Sequence, residues 1–313
     1  MHKDFENNRG QSSTMDIQIL AREFFDYSTF IKGYSKCTIR RYTYVIKLYC
    51  KIAGISNIGE VTNENVRGLF FHGRTERNWS TNTYICFYKS LKVFFRWCIT
   101  NGHMNFNPID SIEKPKIEQK LPIKLNKQDA LKLIEIVYNY PYGHNKFLRQ
   151  RNHAIFSMFV FAGLRKNELL NLKYADVDID NLTIFVRQGK GSKDRVVPMS
   201  YTLAQSLKRY LQERKSLNKT CPEFFTSLNR NAGFTSVGLQ WLVKNIRKAS
   251  GLKFSIHKLR HTFATLMLEG GCDIYSLSKM MGHSDIKTTT IYLSASVEHL
   301  RQQITKHPLN DLV

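Results

Sequence analysis

Four short segments carry the side chains best suited to chemistry at a phosphate. The first is Gly163-Leu164-Arg165, with Glu168 three residues further on. The second is a polar, glycine-containing run holding Lys190 and Lys193. The third is His257-Lys258-Leu259-Arg260-His261, and the fourth is Gly282-His283, with Tyr292 nine residues beyond His283. Displacement at phosphorus by a side-chain hydroxyl requires donors on the non-bridging oxygens, an acid for the leaving oxygen and an activated nucleophile. Two arginines can each fork onto a phosphate. Histidines add donors and proton handling, a lysine can protonate a leaving oxygen, and a tyrosine can form a phosphodiester.

Taken singly, each segment has a plainer reading. The arginine of a Gly-Leu-Arg run is usually a surface or ion-pair residue, and a lysine in a turn is usually just solvated. Tyr292 is one of 15 tyrosines, any of which can pack a helix. His257 and His261 have the spacing of a helical metal pair. The zinc-hydrolase form of that motif needs Glu in second place, where this chain has Lys258, so no metal site is expected.

These segments need a scaffold, and the apolar spacing supplies one. Residues 17–30 repeat Ile17, Leu20 and Phe24 at helical intervals, and Tyr42, Val45, Ile46 and Tyr49 mark a second helix closed by Gly54. A short helix is expected after Thr62. A fourth begins near Ser80 or Thr81 and ends at Asn101-Gly102. Three X-Pro pairs then cluster, at Asn107-Pro108, Lys114-Pro115 and Leu121-Pro122, and read as an interdomain linker. Beyond it, Leu125-Asn126 opens a helix, residues 154–161 form a buried apolar helix, and residues 182–187 and 195–198 read as two strands of a hairpin. The expected organisation is a disordered stretch 1–14, a helical domain 15–105, a linker 106–121 and a second domain 122–313. The fold class is mainly α: a helical N-terminal domain and a mixed, mostly α domain with a small antiparallel β-hairpin sheet.

Composition narrows the function classes. The chain has 313 residues, with 47 Lys and Arg against 25 Asp and Glu, a net charge of +22. That charge favours a polyanionic partner, because neutralising phosphates releases condensed counterions. No apolar run reaches the roughly 18 residues of a membrane span, and the polar N-terminus lacks the apolar core of a secretory signal. Six cysteines without a Cys-x-x-Cys pair suggest neither zinc nor a redox motif and point to a reducing, cytoplasmic setting.

In this order and company the segments resemble the tyrosine recombinases, the family of bacterial Xer recombinases and of phage and transposon integrases. The match rests on Gly-Leu-Arg165-x-x-Glu168-Leu, Gly-Lys190-Gly-Ser-Lys193, His257-x-Leu-Arg260-His261, Met-Gly-His283 and Tyr292. It extends to Arg151-Asn-His-Ala, Asn107-Pro108 and Thr288-Thr-Thr-Ile-Tyr, covering roughly residues 15 to 305. The resemblance implies a SAM-like core-binding domain, no arm-binding domain, and a catalytic domain that cuts DNA. It implies that Arg165 and Arg260 clamp the scissile phosphate and that Lys190, with Lys193 as the fallback, protonates the leaving 5′ oxygen. His257 accepts the tyrosine proton or donates to the phosphate, and His283 donates to the phosphate. Tyr292 attacks and leaves a 3′-phosphotyrosyl link. Glu168 supports Arg165, and His261 stands behind the site.

The resemblance implies no cofactor and no metal. Its partners are double-stranded DNA with inverted-repeat core sites and three further copies of the chain, in a tetramer that works through a Holliday junction. Val297, Leu300 and Ile304 stand at helical spacing in a tail expected to pack on a neighbouring subunit. Whether a second recombinase or a directionality factor takes part is left open. Two alternatives remain at this point: a type IB topoisomerase, which uses the same nucleophile, and a DNA-binding regulator that has lost catalysis. The complete residue set speaks against the second.

Overall fold

The computed structural model describes residues 15–116, 123–187, 194–283 and 285–293. The chain divides into two compact units, residues 1–119 and 120–313.

The first unit is built on α1 (Ile17–Asp26), α2 (Lys36–Ala53), α3 (Asn63–Thr75) and α4 (Thr81–Thr100). Asp16, Ser35, Thr62 and Ser80 cap these four helices, each side chain accepting a first-turn N–H that the helix start leaves open. The apolar stripes meet in one core, where Phe24 packs edge-on against Phe94 with ring centroids 5.4 Å apart. The first helix is shorter than its periodicity suggests, because residues 27–31 widen into a π turn.

The stretch expected as a linker from residue 106 begins as part of this unit. Asn107 caps a 3-10 turn at Pro108–Ser111, Ile109 and Ile112 enter the core, and the Tyr84 hydroxyl donates to the Glu113 carbonyl at 2.9 Å. Proline bars a continuing helix but is at home in the first position of a new turn, where its missing N–H goes unused.

The second unit surrounds α6 (Lys146–Phe161), which is buried throughout residues 154–160. It packs against α5 (Lys127–Asn139) and α8 (Tyr201–Ser216). Two polar residues on α6, Arg151 and His153, find partners inside the unit, whereas Arg149 Nε and Gln150 Oε1 are buried without a hydrogen-bond partner among the described residues. Arg151 donates to the Thr226 carbonyl at 3.1 Å and lies over the Phe234 ring, and His153 Nδ1 meets Ser206 Oγ at 2.7 Å. The Arg151-Asn-His-Ala run therefore braces the core.

The sheet has three antiparallel strands in the order β1 (Val177–Asp178), β2 (Thr183–Val186), β3 (Arg195–Pro198). The expected hairpin pairs Ile184 with Val197 and Val186 with Arg195, and β1 is an added edge. The turn residues Lys190 and Lys193, the N-terminal residues 1–14 and the tail 294–313 lie outside the described residues.

Three further elements complete the frame: the short α7 (Lys166–Asn171), α9 (Ser236–Ser250) and α10 (Ile256–Glu269). They are followed by α11 (Ile274–Met281) and α12 (Lys287–Thr290). The start of the unit is tied to α10, with the Leu125 N–H donating to Thr262 Oγ1 at 2.9 Å and Lys124 pairing with Glu269. Tyr292 joins Phe263, Leu277 and Met281 in a small core of its own. Among the described residues no helix is long and apolar enough to cross a membrane.

Candidate active site

Arg165 stands at the N-cap of α7, and Glu168 in the first turn holds it twice. The Glu168 carboxylate accepts the Arg165 backbone N–H at 2.8 Å and its guanidinium at 2.7 Å. Two residues earlier, Gly163 has φ +59, and a Cβ there would come 2.2 Å from the Phe263 ring. Glycine is required on both counts. The Gly163 carbonyl accepts from Arg260 Nη1 at 2.6 Å.

Three consecutive carbonyls ending α11 then gather three guanidinium groups from different parts of the unit. Arg195 Nε donates to Met280 O at 2.7 Å, Arg260 Nη2 to Met281 O at 2.5 Å and Arg165 Nη2 to Gly282 O at 2.9 Å. Carbonyls at a helix C-terminus lack intrahelical partners and carry partial negative charge, so they suit cations. Arg260 is almost wholly buried, whereas the Arg165 side chain is 24% exposed. Burial first, then the Arg165 charge, pulls the Arg260 pKa down to about 10, which leaves it protonated at neutral pH.

The histidines divide the remaining work. A guanidinium offers only donors, so His283 Nε2 accepts from Arg260 Nη2 at 3.3 Å. His283 Nδ1 is then the protonated nitrogen, facing Thr289 Oγ1 at 2.7 Å. His261 Nδ1 lies 2.7 Å from Tyr292 Oη. His257 sits edge-on to the His261 ring with centroids 4.7 Å apart. Tyr292 is 2% exposed. Its burial raises the hydroxyl pKa, and the Arg260 and Arg165 charges partly offset the rise. Burial, then His257 and Arg260, lowers the His261 pKa to about 4, so its ring is neutral at pH 7.

Hydrogen bonds thus pair Arg165 with Glu168, Arg260 with His283 and His261 with Tyr292, with His257 alongside His261. His261, expected behind the site, is the histidine that meets the tyrosine hydroxyl. Arg195 was not singled out by motif, yet it grips Glu168 with both ends of its fork, at 2.9 and 2.8 Å. Its signal was parity: side chains two apart on a strand share a face, so Arg195 lies on the face of the buried Val197. Among the described residues no group of three or more His, Cys, Asp or Glu is gathered as metal ligands.

The depressed histidines make stability acid-sensitive. His153 is lowered by burial, then by Arg209, to about 4, His261 also titrates near 4, and burial lowers His257. Below the ordinary histidine value of about 6.5 the unfolded chain takes up protons that the native state refuses. Stability contributed by these neutral rings is therefore full above about 6.5 and declines toward pH 4. The melting temperature should be lower at pH 5 than at pH 7.5, and His261→Gln should narrow that difference. An unchanged difference would detach His261 from it.

Each unit matches a known protein family. Residues 124–299 match the profile of the phage integrase family, and residues 20–102 match the phage integrase N-terminal SAM-like domain. The tyrosine recombinase XerA of Pyrococcus horikoshii is 34% identical over 300 residues, covering 94% of this chain and 95% of that protein. The tyrosine recombinase XerC of Oceanobacillus iheyensis is 31% identical over 303 residues, covering 93% and 97%. In fold, the chain is similar to the XerH site-specific recombinase bound to a palindromic difH substrate. The TM-score is 0.71 at 21% identity, covering 91% of this chain and 83% of that one.

Proposed function

The chain belongs to the phage integrase family and is a tyrosine-type site-specific recombinase that breaks and rejoins DNA, and from that premise we propose that Tyr292 is its nucleophile. One observation carries this reading: Tyr292 meets His261 one residue along α10 from Arg260, whose guanidinium also reaches His283. A phosphate at this cluster would take donors from Arg165 and Arg260 on its non-bridging oxygens, where negative charge builds in the transition state. His283 joins as a donor once its ring turns from Arg260 or gains a proton.

The chemistry balances without a cofactor. As the bond from Tyr292 Oη to phosphorus forms, the bond from phosphorus to the 5′ oxygen breaks. The tyrosine proton passes to neutral His261 at 2.7 Å, with His257 beside it as relay or phosphate donor. Lys190 supplies the proton for the leaving oxygen, a role taken from the family resemblance, with Lys193 the fallback. The phosphotyrosyl ester keeps the energy of the phosphodiester, so religation needs no ATP. Glu168 orients Arg165.

The helical domain serves as the core DNA-binding unit, and the net charge of +22 supports a duplex partner. Family membership supports inverted-repeat sites, a tetramer and a Holliday junction, with the segment after Tyr292 packing on a neighbouring copy. We place the protein in the cytoplasm, and its unpaired cysteines among the described residues fit that setting.

Incubation with fragmented genomic DNA of its source, followed by denaturation and sequencing of protein-linked ends, tests the reading. The ends should fall at an inverted repeat around a short spacer, joined to the peptide carrying Tyr292. Ends scattered without sequence preference, together with relaxation of any supercoiled plasmid, would favour a topoisomerase. Adduct yield should stay the same in EDTA, and its loss there would return His257 and His261 to consideration as metal ligands.

A further inference from the structure

Glu168 poses an electrostatic problem. Its carboxylate touches Arg165 at 2.7 Å and comes within 4.0 Å of Arg260, the two side chains proposed to hold the phosphate. A buried carboxylate beside a phosphate clamp competes with the phosphate for the same donors, and low local dielectric strengthens that competition.

Arg195 is built to remove the competition. Its side chain is 8% exposed and forks onto both Glu168 oxygens, and its Nε is fixed on the Met280 carbonyl. Burial alone would oppose ionisation of Glu168, yet Arg195, then Arg165, hold its carboxyl at about 2. Gly282 makes the approach possible, because a Cβ there would come 2.9 Å from Arg195 Cδ. Arg195 also opens β3, paired with Val186, five residues after Lys190 in sequence. We propose that Arg195 is a positioning residue for strand cleavage: it takes up the charge of Glu168 so that Arg165 keeps its own for the phosphate. Without it, Glu168 draws the Arg165 fork onto itself and off the Gly282 carbonyl. The inference rests on the roles proposed for Arg165 and Tyr292.

The test uses the full chain and, as probe, a duplex of the inverted repeat recovered by adduct sequencing. Single-turnover adduct formation, DNA affinity and melting temperature are measured together for each variant. Arg195→Gln should slow cleavage by about 10- to 100-fold, by analogy with the cost of losing the outer hydrogen-bond partner of a metal ligand, with DNA affinity unchanged. Glu168→Gln added to Arg195→Gln removes the stranded charge while its amide oxygen can still accept from Arg165, and the double variant should cleave faster than Arg195→Gln alone. A merely structural Arg195 predicts the opposite, since the double variant loses more contacts. Arg195→Lys keeps the charge without the fork and should cleave faster than a folded Arg195→Gln; if Arg195→Gln does not fold, Arg195→Lys is compared with wild type instead, and a folded Arg195→Lys that forms no adduct overturns the inference. The inference falls if Arg195→Gln cleaves like wild type, if the folded double variant is no faster than the single one, or if Arg195→Lys is as slow as Arg195→Gln. Absence of any adduct from wild type overturns the assignment of Tyr292 and this inference with it.

Discussion

Tyr292→Phe should give a protein that folds, binds DNA and forms no covalent adduct. The ring of Tyr292 packs with Phe263, Leu277 and Met281, and phenylalanine fills the same space. The substitution removes one hydroxyl and leaves His261 Nδ1 without it. One lost hydrogen bond of this kind costs about 1 kcal/mol of stability, too little to unfold a domain. The catalytic loss is of another order, because deleting a nucleophile from a preorganised site removes on the order of 10⁴-fold or more of the rate. Single-turnover adduct assays, run beside a binding measurement, separate the two. An adduct retained by Tyr292→Phe would move the nucleophile elsewhere, for instance to the exposed Tyr275.

Much of the scaffold was legible because local rules decided it. Asp16, Ser35, Thr62 and Ser80 announce helix starts through side-chain oxygens, and the structure uses each as a cap. The alternation in residues 182–187 and 195–198 announced the hairpin in the same way. The linker was misplaced at its first half because proline was read as a break. The isoleucines that dock Pro108–Ser111 onto the core are a tertiary signal. For the candidate site, motif order pointed to Arg165, Arg260, His283 and Tyr292, but motifs do not reveal partners. That His261 meets the tyrosine follows from α12 bringing Tyr292 back beside α10, a long-range contact that no spacing encodes. Arg195 lay in an apolar strand position, and such a charge implies a buried counter-charge without naming it. Only the fold identifies Glu168.

The last pair of variants separates catalysis from architecture at the two arginines. Arg260→Ala and Arg165→Ala should each slow adduct formation by about 10²- to 10³-fold, the usual cost of losing one preorganised donor. Their effects on stability should differ. Arg260 is 4% exposed in its side chain and supplies the buried donors to Gly163 O and Met281 O, besides its contact with His283. Removing it strands two inward-facing carbonyls, each costing about 1–3 kcal/mol unless water replaces the donor. Arg165 is 24% exposed, and water can reach the groups it leaves. Arg260→Ala should therefore melt several degrees below Arg165→Ala, while both cleave slowly at temperatures where both are folded. If Arg260→Ala cleaves at the wild-type rate once corrected for its folded fraction, Arg260 serves to hold Gly163 and Met281 together, and the phosphate clamp reduces to Arg165. If both variants lose activity but melt alike, the three carbonyls ending α11 are hydrated in solution, and the guanidinium groups are held chiefly by Glu168.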